Sequence, residues 1–164
     1  MYEHILLIVE ILLLLGVANG APIFATRLFG RRFSAPLDGG LKLPDGRPLL
    51  GPSKTVRGLV LSVACTALVA PLLGFEWIIG AGLASASMFG DLLSSFLKRR
   101  LGLRAHSQAV GLDQIPESVL PLLVLQQPLG LGYGDIAITV TAFIVLELVL
   151  SRLLYRLRIR DRPY

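Results

Sequence analysis

Asp91 stands inside an apolar stretch, seven residues before the cation triplet Lys98-Arg99-Arg100. On a helix, with a rise of 1.5 Å per residue, that is about 10 Å in from the basic end. Ser87, Asp91, Ser94 or Ser95, and Lys98 fall at helical spacing and share one face. A carboxylate in an apolar span is costly, which marks it for function by default. The plainer reading is a salt bridge or a helix cap. Asp113 follows the triplet, in Gly111-Leu112-Asp113-Gln114. If this connection folds back, both carboxylates reach one cation from the same side. Hard ions such as Mg²⁺ take one or two carboxylates together with substrate phosphates. His106 has no partners at ligand spacing and reads as a surface or substrate-contact residue.

A second polar stretch, Asp45 to Gly58, reads D-G-R-P-L-L-G-P-S-K-T-V-R-G. Its glycines allow backbone N–H groups to approach an anion, while Lys54, Thr55 and Arg57 add donors between Gly51 and Gly58. It is not a Walker A loop, because Pro52 and Ser53 separate Gly51 from Lys54 and no strand precedes it. An ordinary basic connection between membrane spans is the competing reading. Glu10 and Glu147 also interrupt apolar runs, as packing hydrogen bonds or as chemical groups. Asn19 and Pro22 sit where they can shape a cavity wall.

The elements that position these residues are membrane helices. The 164 residues are 54% hydrophobic, with a mean hydropathy of +0.70, too apolar for a soluble domain of this length. All 16 lysines and arginines fall in three segments, Arg27 to Arg57, Lys98 to Arg104 and Arg152 to Arg162. Apolar runs separate them. Cations on alternate connections follow the positive-inside rule. The pI near 9.9 therefore points to anionic lipid headgroups and phosphates rather than nucleic acid. The lone Cys65 excludes a disulfide frame and reads as a buried small apolar residue.

Spans of about 20 apolar residues are expected at 4–24, 59–75, 77–97, 116–131 and 136–155. The fold class is an all-α integral membrane protein, a single transmembrane domain over residues 1–164. Residues 25–58 and 98–115 form two functional cytoplasmic loops. The N-terminus lies outside and the C-terminus inside, since Met1 to His4 lack the basic start of a signal peptide. The fourth span is the shortest and carries Gln126, Gln127 and Pro128. The third is rich in Gly, Ala and Ser, which suits a central helix.

Gly90-Asp91-Leu92, with Ser95 and Lys98-Arg99, resembles the signature of the membrane CDP-diacylglycerol synthases. Leu112-Asp113-Gln114-Ile115 resembles the segment that follows it there. The loop Asp45 to Gly58, Lys98 to Gly102 and Gly111 to Gln114 resemble more specifically the CDP-archaeol synthase family. The chain departs from those patterns at Arg104-Ala105, where the phosphatidate enzymes carry an acid, and at Pro116. Glu117 can replace the missing acid with a one-residue shift.

The resemblance implies a cytidylyltransferase that passes CMP from CTP to a lipid phosphate, either archaeal ether-linked or phosphatidate-like. It implies Asp91, Lys98, Arg99 and Asp113 as catalytic, with Mg²⁺ on Asp91 and Asp113. Gly51, Lys54, Thr55, Arg57 and Gly58 would hold the nucleotide. Asn19, Ser95 and Arg100 would meet the lipid phosphate, and the leaving pyrophosphate would meet the same basic triplet. Two other classes compete. One is a small ion or solute transporter relaying through Glu10, Asp91 and Glu147. The other is a non-catalytic membrane subunit, which binds no nucleotide. A CDP-alcohol phosphotransferase is excluded, because aspartates downstream of Asp45-Gly46 are missing.

Overall fold

The structure is a computed structural model that describes residues 2–30, 32–103 and 109–156. The described residues form five α-helices. These are α1 (Tyr2–Phe29), α2 (Val56–Val69), α3 (Trp77–Arg100), α4 (Gln114–Val124) and α5 (Tyr133–Arg156). One 3₁₀ turn, Ala70–Leu73, extends α2. Four segments are long and apolar enough to cross a bilayer: Tyr2–Phe29, Val56–Leu73, Trp77–Arg100 and Tyr133–Leu153. Large apolar side chains such as Leu68, Leu72, Ile138 and Val145 point outward, as a lipid-facing surface requires.

The first helix runs past the expected end at residue 24, through Pro22. Proline lacks the N–H that would bond the carbonyl four residues back, here Ala18. The Ser62 hydroxyl of α2 donates to that carbonyl at 2.7 Å. A neighbouring helix thus meets the backbone demand that would otherwise break α1 in lipid. Asn19, one residue on, donates to Ser87 Oγ of α3 at 3.1 Å. The core between these helices is Ile11, Leu14, Leu15 and Ala18 against Leu83, Ala84 and Leu122.

Two glycines of α3 let its neighbours approach. A Cβ on Gly80 would lie 2.5 Å from the Thr66 carbonyl oxygen, and one on Gly90 would lie 2.2 Å from that of Pro116. Both obstacles are backbone, so neither contact tolerates a side chain.

The fourth expected span, 116–131, is helical only over the eleven residues Gln114–Val124. That is about 16 Å, roughly half the hydrocarbon thickness. Gln126, Gln127, Pro128 and Gly130 end it, with Gly130 in the left-handed region at φ +62°. The chain still reaches the far end of the bundle, where Pro128 and Leu129 lie beside Phe75 and Glu76. Its non-helical backbone is satisfied locally: Leu129 N–H bonds Leu125 O at 3.0 Å and Leu131 N–H bonds Gln126 O at 2.9 Å. Asp135 at the start of α5 stands 3.7 Å from His4. One end therefore gathers His4, the Gly74 turn, Leu129 and Asp135. The other gathers the long connections that follow α1 and α3.

Candidate active site

At that second end the helices surround an open chamber of about 1910 Å³. A single small-ligand pocket is typically roughly 300–1,000 Å³, so this one has room for two substrates. Its walls come from α1, α2, α3 and α5, with the start of α4 and the first loop as its polar floor. Asp91 is fourteen residues along α3 and Glu147 fourteen along α5 from their shared end, so both lie about 21 Å in. The seam between α1 and α5 is apolar: Leu13, Val17, Phe143, Leu146 and Leu150 face the chamber.

The two aspartates found in the sequence are both here, and each is held by a lysine. Lys54 of the first loop pairs with Asp91 of α3. Lys98 of α3 pairs with Asp113 at 2.6 Å. Asp113 also accepts the Ala109 N–H at 3.0 Å. All four side chains are largely withdrawn from solvent. Pairing offsets the desolvation that a lone charge would suffer at this depth.

The Gly90 contact seats α4 against α3 just where Glu117 begins its turn. Glu117 is 6% exposed and lies within electrostatic reach of Asp91, Asp113, Glu147 and Lys54. The acid shifted by one residue in the sequence therefore reaches the aspartates after all. Gln114, also buried, accepts the Gly111 N–H at 2.8 Å through its side-chain oxygen.

Ser95 and Arg99 line the chamber and are nearly buried. Ser94 does not line it; its hydroxyl donates to the Asp91 carbonyl at 3.0 Å. Asn19 lines the wall and ties α1 to α3. Cys65, expected to be buried, is half-exposed on the α2 wall. Glu10, half-exposed on α1, is not a chamber residue, so it does not join Asp91 and Glu147. Arg104 and His106 lie outside the described residues.

The first loop splits into parts. Lys54 reaches the floor, and Thr55, Arg57 and Gly58 line the chamber beside it while also serving the fold. Thr55 caps α2, accepting the Gly58 N–H at 3.1 Å. Gly58 is buried against Pro22. Arg57 donates to the carbonyls of Gly30 and Arg32 and lies 5.9 Å from the Phe29 ring. It binds the end of α1 to the start of α2. Gly51, at φ +102°, makes the turn before Lys54.

Arg100 departs from expectation. It is not a chamber residue. Its guanidinium donates to Asp45 at 2.6 Å and to the Pro48 carbonyl at 2.7 Å, both in the first loop outside the chamber.

Asp38 carries a role that its neighbours in the chain barely mark. Its carboxylate accepts the N–H groups of Gly40, Leu50 and Gly51 at 3.0, 2.9 and 3.2 Å. Partial burial pushes its pKa up, but those N–H groups outweigh it and hold the carboxyl below the usual range. The Arg47 N–H, reinforced by Arg100, holds Asp45 low as well. The only hint of the Asp38 role was an Asp-Gly-Gly run, which favours a local side-chain turn.

The fold and site together define a helical membrane protein with a charged, apolar-walled chamber that opens between helices. A family model described as CarS-like, CDP-archaeol synthase, matches residues 75–164. The chain belongs to the CDP-archaeol synthase family. It is 35% identical to the CDP-archaeol synthase of Sulfurisphaera tokodaii, over 90% of this chain and 89% of that one. It is 34% identical to the CDP-archaeol synthase of Sulfolobus acidocaldarius, over 90% and 91%. A solved structure described as an intramembrane enzyme for archaeal membrane lipids biosynthesis superposes with a TM-score of 0.70 at 27% identity, covering 84% of this chain and 90% of that one.

Proposed function

We propose that the chamber holds CTP on its polar floor and a lipid phosphate entering along the α1–α5 seam, with an archaeal ether lipid as the substrate. As a family member the protein is a membrane-embedded, CTP-dependent cytidylyltransferase that makes a CDP-lipid and releases pyrophosphate. The observation that carries the site assignment is the junction of two lysine–aspartate pairs with an apolar seam in one cavity.

In the reaction a lipid phosphate oxygen forms a bond to the α-phosphorus of CTP, and the bond from that phosphorus to the bridging oxygen breaks. A phosphate monoester is already anionic, so no strong base is required. Positioning and charge neutralisation then supply most of the rate. Lys54, beside the N-terminus of α2, takes the triphosphate, where the helix dipole favours anions. Arg99 and Lys98 face the lipid phosphate or the leaving pyrophosphate, and Ser95 and Asn19 supply neutral donors.

The donor set fits Mg²⁺: Asp91, Asp113 and Glu117 offer hard carboxylate oxygens. Among the described residues no three ligating side chains form a ready-made metal site, so substrate phosphates would complete the shell. Asp91 and Asp113 would hold the ion, which would neutralise charge on the phosphates. The basic connections face the cytoplasm with its CTP, and the end with His4 and Asp135 faces outside. A cysteine near Arg47 should label from the cytoplasmic side, and one at Gly132 from outside.

The deciding experiment gives purified protein in lipid nanodiscs CTP, Mg²⁺ and either a di-geranylgeranylglyceryl phosphate or phosphatidate. Formation of CDP-ether lipid, detected by mass and faster than from phosphatidate, is the expected result. Equal use of both lipids would remove the ether-lipid assignment, and no CDP-lipid from either would remove the reaction.

A further inference from the structure

Arg100 ends α3 outside the chamber, yet its side chain is held at several points. Its guanidinium grips the first loop at two points, the Asp45 carboxylate and the Pro48 carbonyl, and lies 5.5 Å from the Phe96 ring. The grip is returned, because Arg47 of that loop donates to the Arg100 carbonyl at 2.6 Å. Between these anchors and Lys54 the loop is continuously bonded. Lys42 bridges Pro48, Asp38 pins Leu50 and Gly51, and the Lys54 carbonyl accepts the Leu37 N–H at 2.8 Å. A planar fork bonding two acceptors fixes direction as well as distance.

We propose that Arg100 is a positioning residue: it braces the first loop against the end of α3 and so seats the Lys54 ammonium in the chamber at the triphosphate. The proposal rests on the reading of Lys54 as a CTP ligand. α3 thereby serves the nucleotide twice, through the ion that Asp91 would hold and remotely through the loop. Asp45 is the acceptor that gives the brace its charge, and neither residue touches the substrates.

Four proteins in nanodiscs decide it: wild type, Arg100→Gln, the exchange Asp45→Arg/Arg100→Asp, and Lys54→Gln. Each is measured for the KM of CTP, the KM of the lipid phosphate, kcat, and amide hydrogen exchange at Leu50 to Lys54. Loss of a charge-assisted fork should raise the KM of CTP about tenfold. The lipid KM should stay unchanged, and exchange at Leu50 to Lys54 should speed up. The exchanged pair should recover part of both effects, since the charge contact returns without the Pro48 bond. A raised lipid KM with an unchanged KM for CTP would make Arg100 a lipid-phosphate ligand and overturn the proposal. So would unaltered amide exchange in Arg100→Gln. If Lys54→Gln leaves the KM of CTP untouched, the reading of Lys54 fails, and the seating of Lys54 at the triphosphate fails with it. Faster exchange in Arg100→Gln would then show only that the brace holds the loop.

Discussion

The two lysine–aspartate pairs on the chamber floor share a chemistry and differ in construction. In one, the carboxylate sits on α3 and the lysine arrives on a loop, so the pair joins segments 37 residues apart. In the other, the lysine sits on α3 and the carboxylate opens α4, across a single connection. The first pair depends on a loop that Arg57, Asp38 and Arg100 hold in place. The second depends on Gly90, which lets α4 come close enough to α3. Both pairs leave the chamber near electrical balance before substrates arrive. The difference teaches that one pair can be disturbed through loop order, the other through helix packing.

Removing the aspartates should have the largest effect. Asp91→Asn keeps the size of the side chain and removes the charge that would draw the metal. Turnover should fall by at least about 10²-fold, with Asp113→Asn close behind. Folding, followed by thermal denaturation in detergent, should survive. Glu10→Gln, outside the chamber, should stay within about twofold of wild type. Near-normal turnover with unchanged Mg²⁺ dependence in either aspartate variant would break the equivalence of the pairs.

Much of this was legible in the sequence because the bilayer simplifies it. Apolar runs and segregated cations lead directly to helices, and the isolated Asp91 stands out against them. The Lys98 to Asp113 stretch likewise pointed to a shared site. What was not legible depends on tertiary contact. Nothing local separates Arg100, which leaves the chamber, from Arg99, which lines it; only the path of the first loop decides. Pro22 lines the chamber wall as expected, but α1 runs on past it because Ser62, 40 residues later, satisfies the freed carbonyl. The fourth span was overextended because Leu125, Leu129 and Leu131 are apolar for a different reason, burial against other helices. Asp38 is not legible because its distant partners, the Leu50 and Gly51 N–H groups, are backbone and carry no sequence signal.

The next effect separates the pairs by packing. Gly90→Ala places a methyl against the Pro116 carbonyl and must push α4 away. Overpacking of this kind costs typically about 1–3 kcal/mol. Thermal stability should drop, and turnover should fall with the Asp113 side more disturbed than the Lys54 side. Glycine-like stability in the alanine variant would sink the close-approach argument. Lys54→Ala is the complementary change. It should raise the KM of CTP about tenfold and, because it leaves Asp91 without its lysine, lower thermal stability without moving the helices. Lost stability with an unchanged KM for CTP would instead make Lys54 a structural ion-pair partner only.

The smallest effect concerns the loop that carries Lys54, for which the second pair has no counterpart. Asp38 is held below the usual carboxylate range, so its contribution is complete above the unfolded value of about 3.9. It is lost only as pH falls through the lower folded value. Asp38→Asn lacks the charge at every pH. The variant should therefore melt a few degrees below wild type in detergent at neutral pH, because N–H groups lose a charged acceptor. That gap should stay constant from about pH 8 to pH 5 and close only below about pH 4. The measurement is a pair of melting curves across this range. A gap that closes near neutral pH would assign the effect to another group. A gap of zero throughout would mean that the Leu50 and Gly51 bonds do not hold the loop, leaving Arg100 and Arg57 as its anchors.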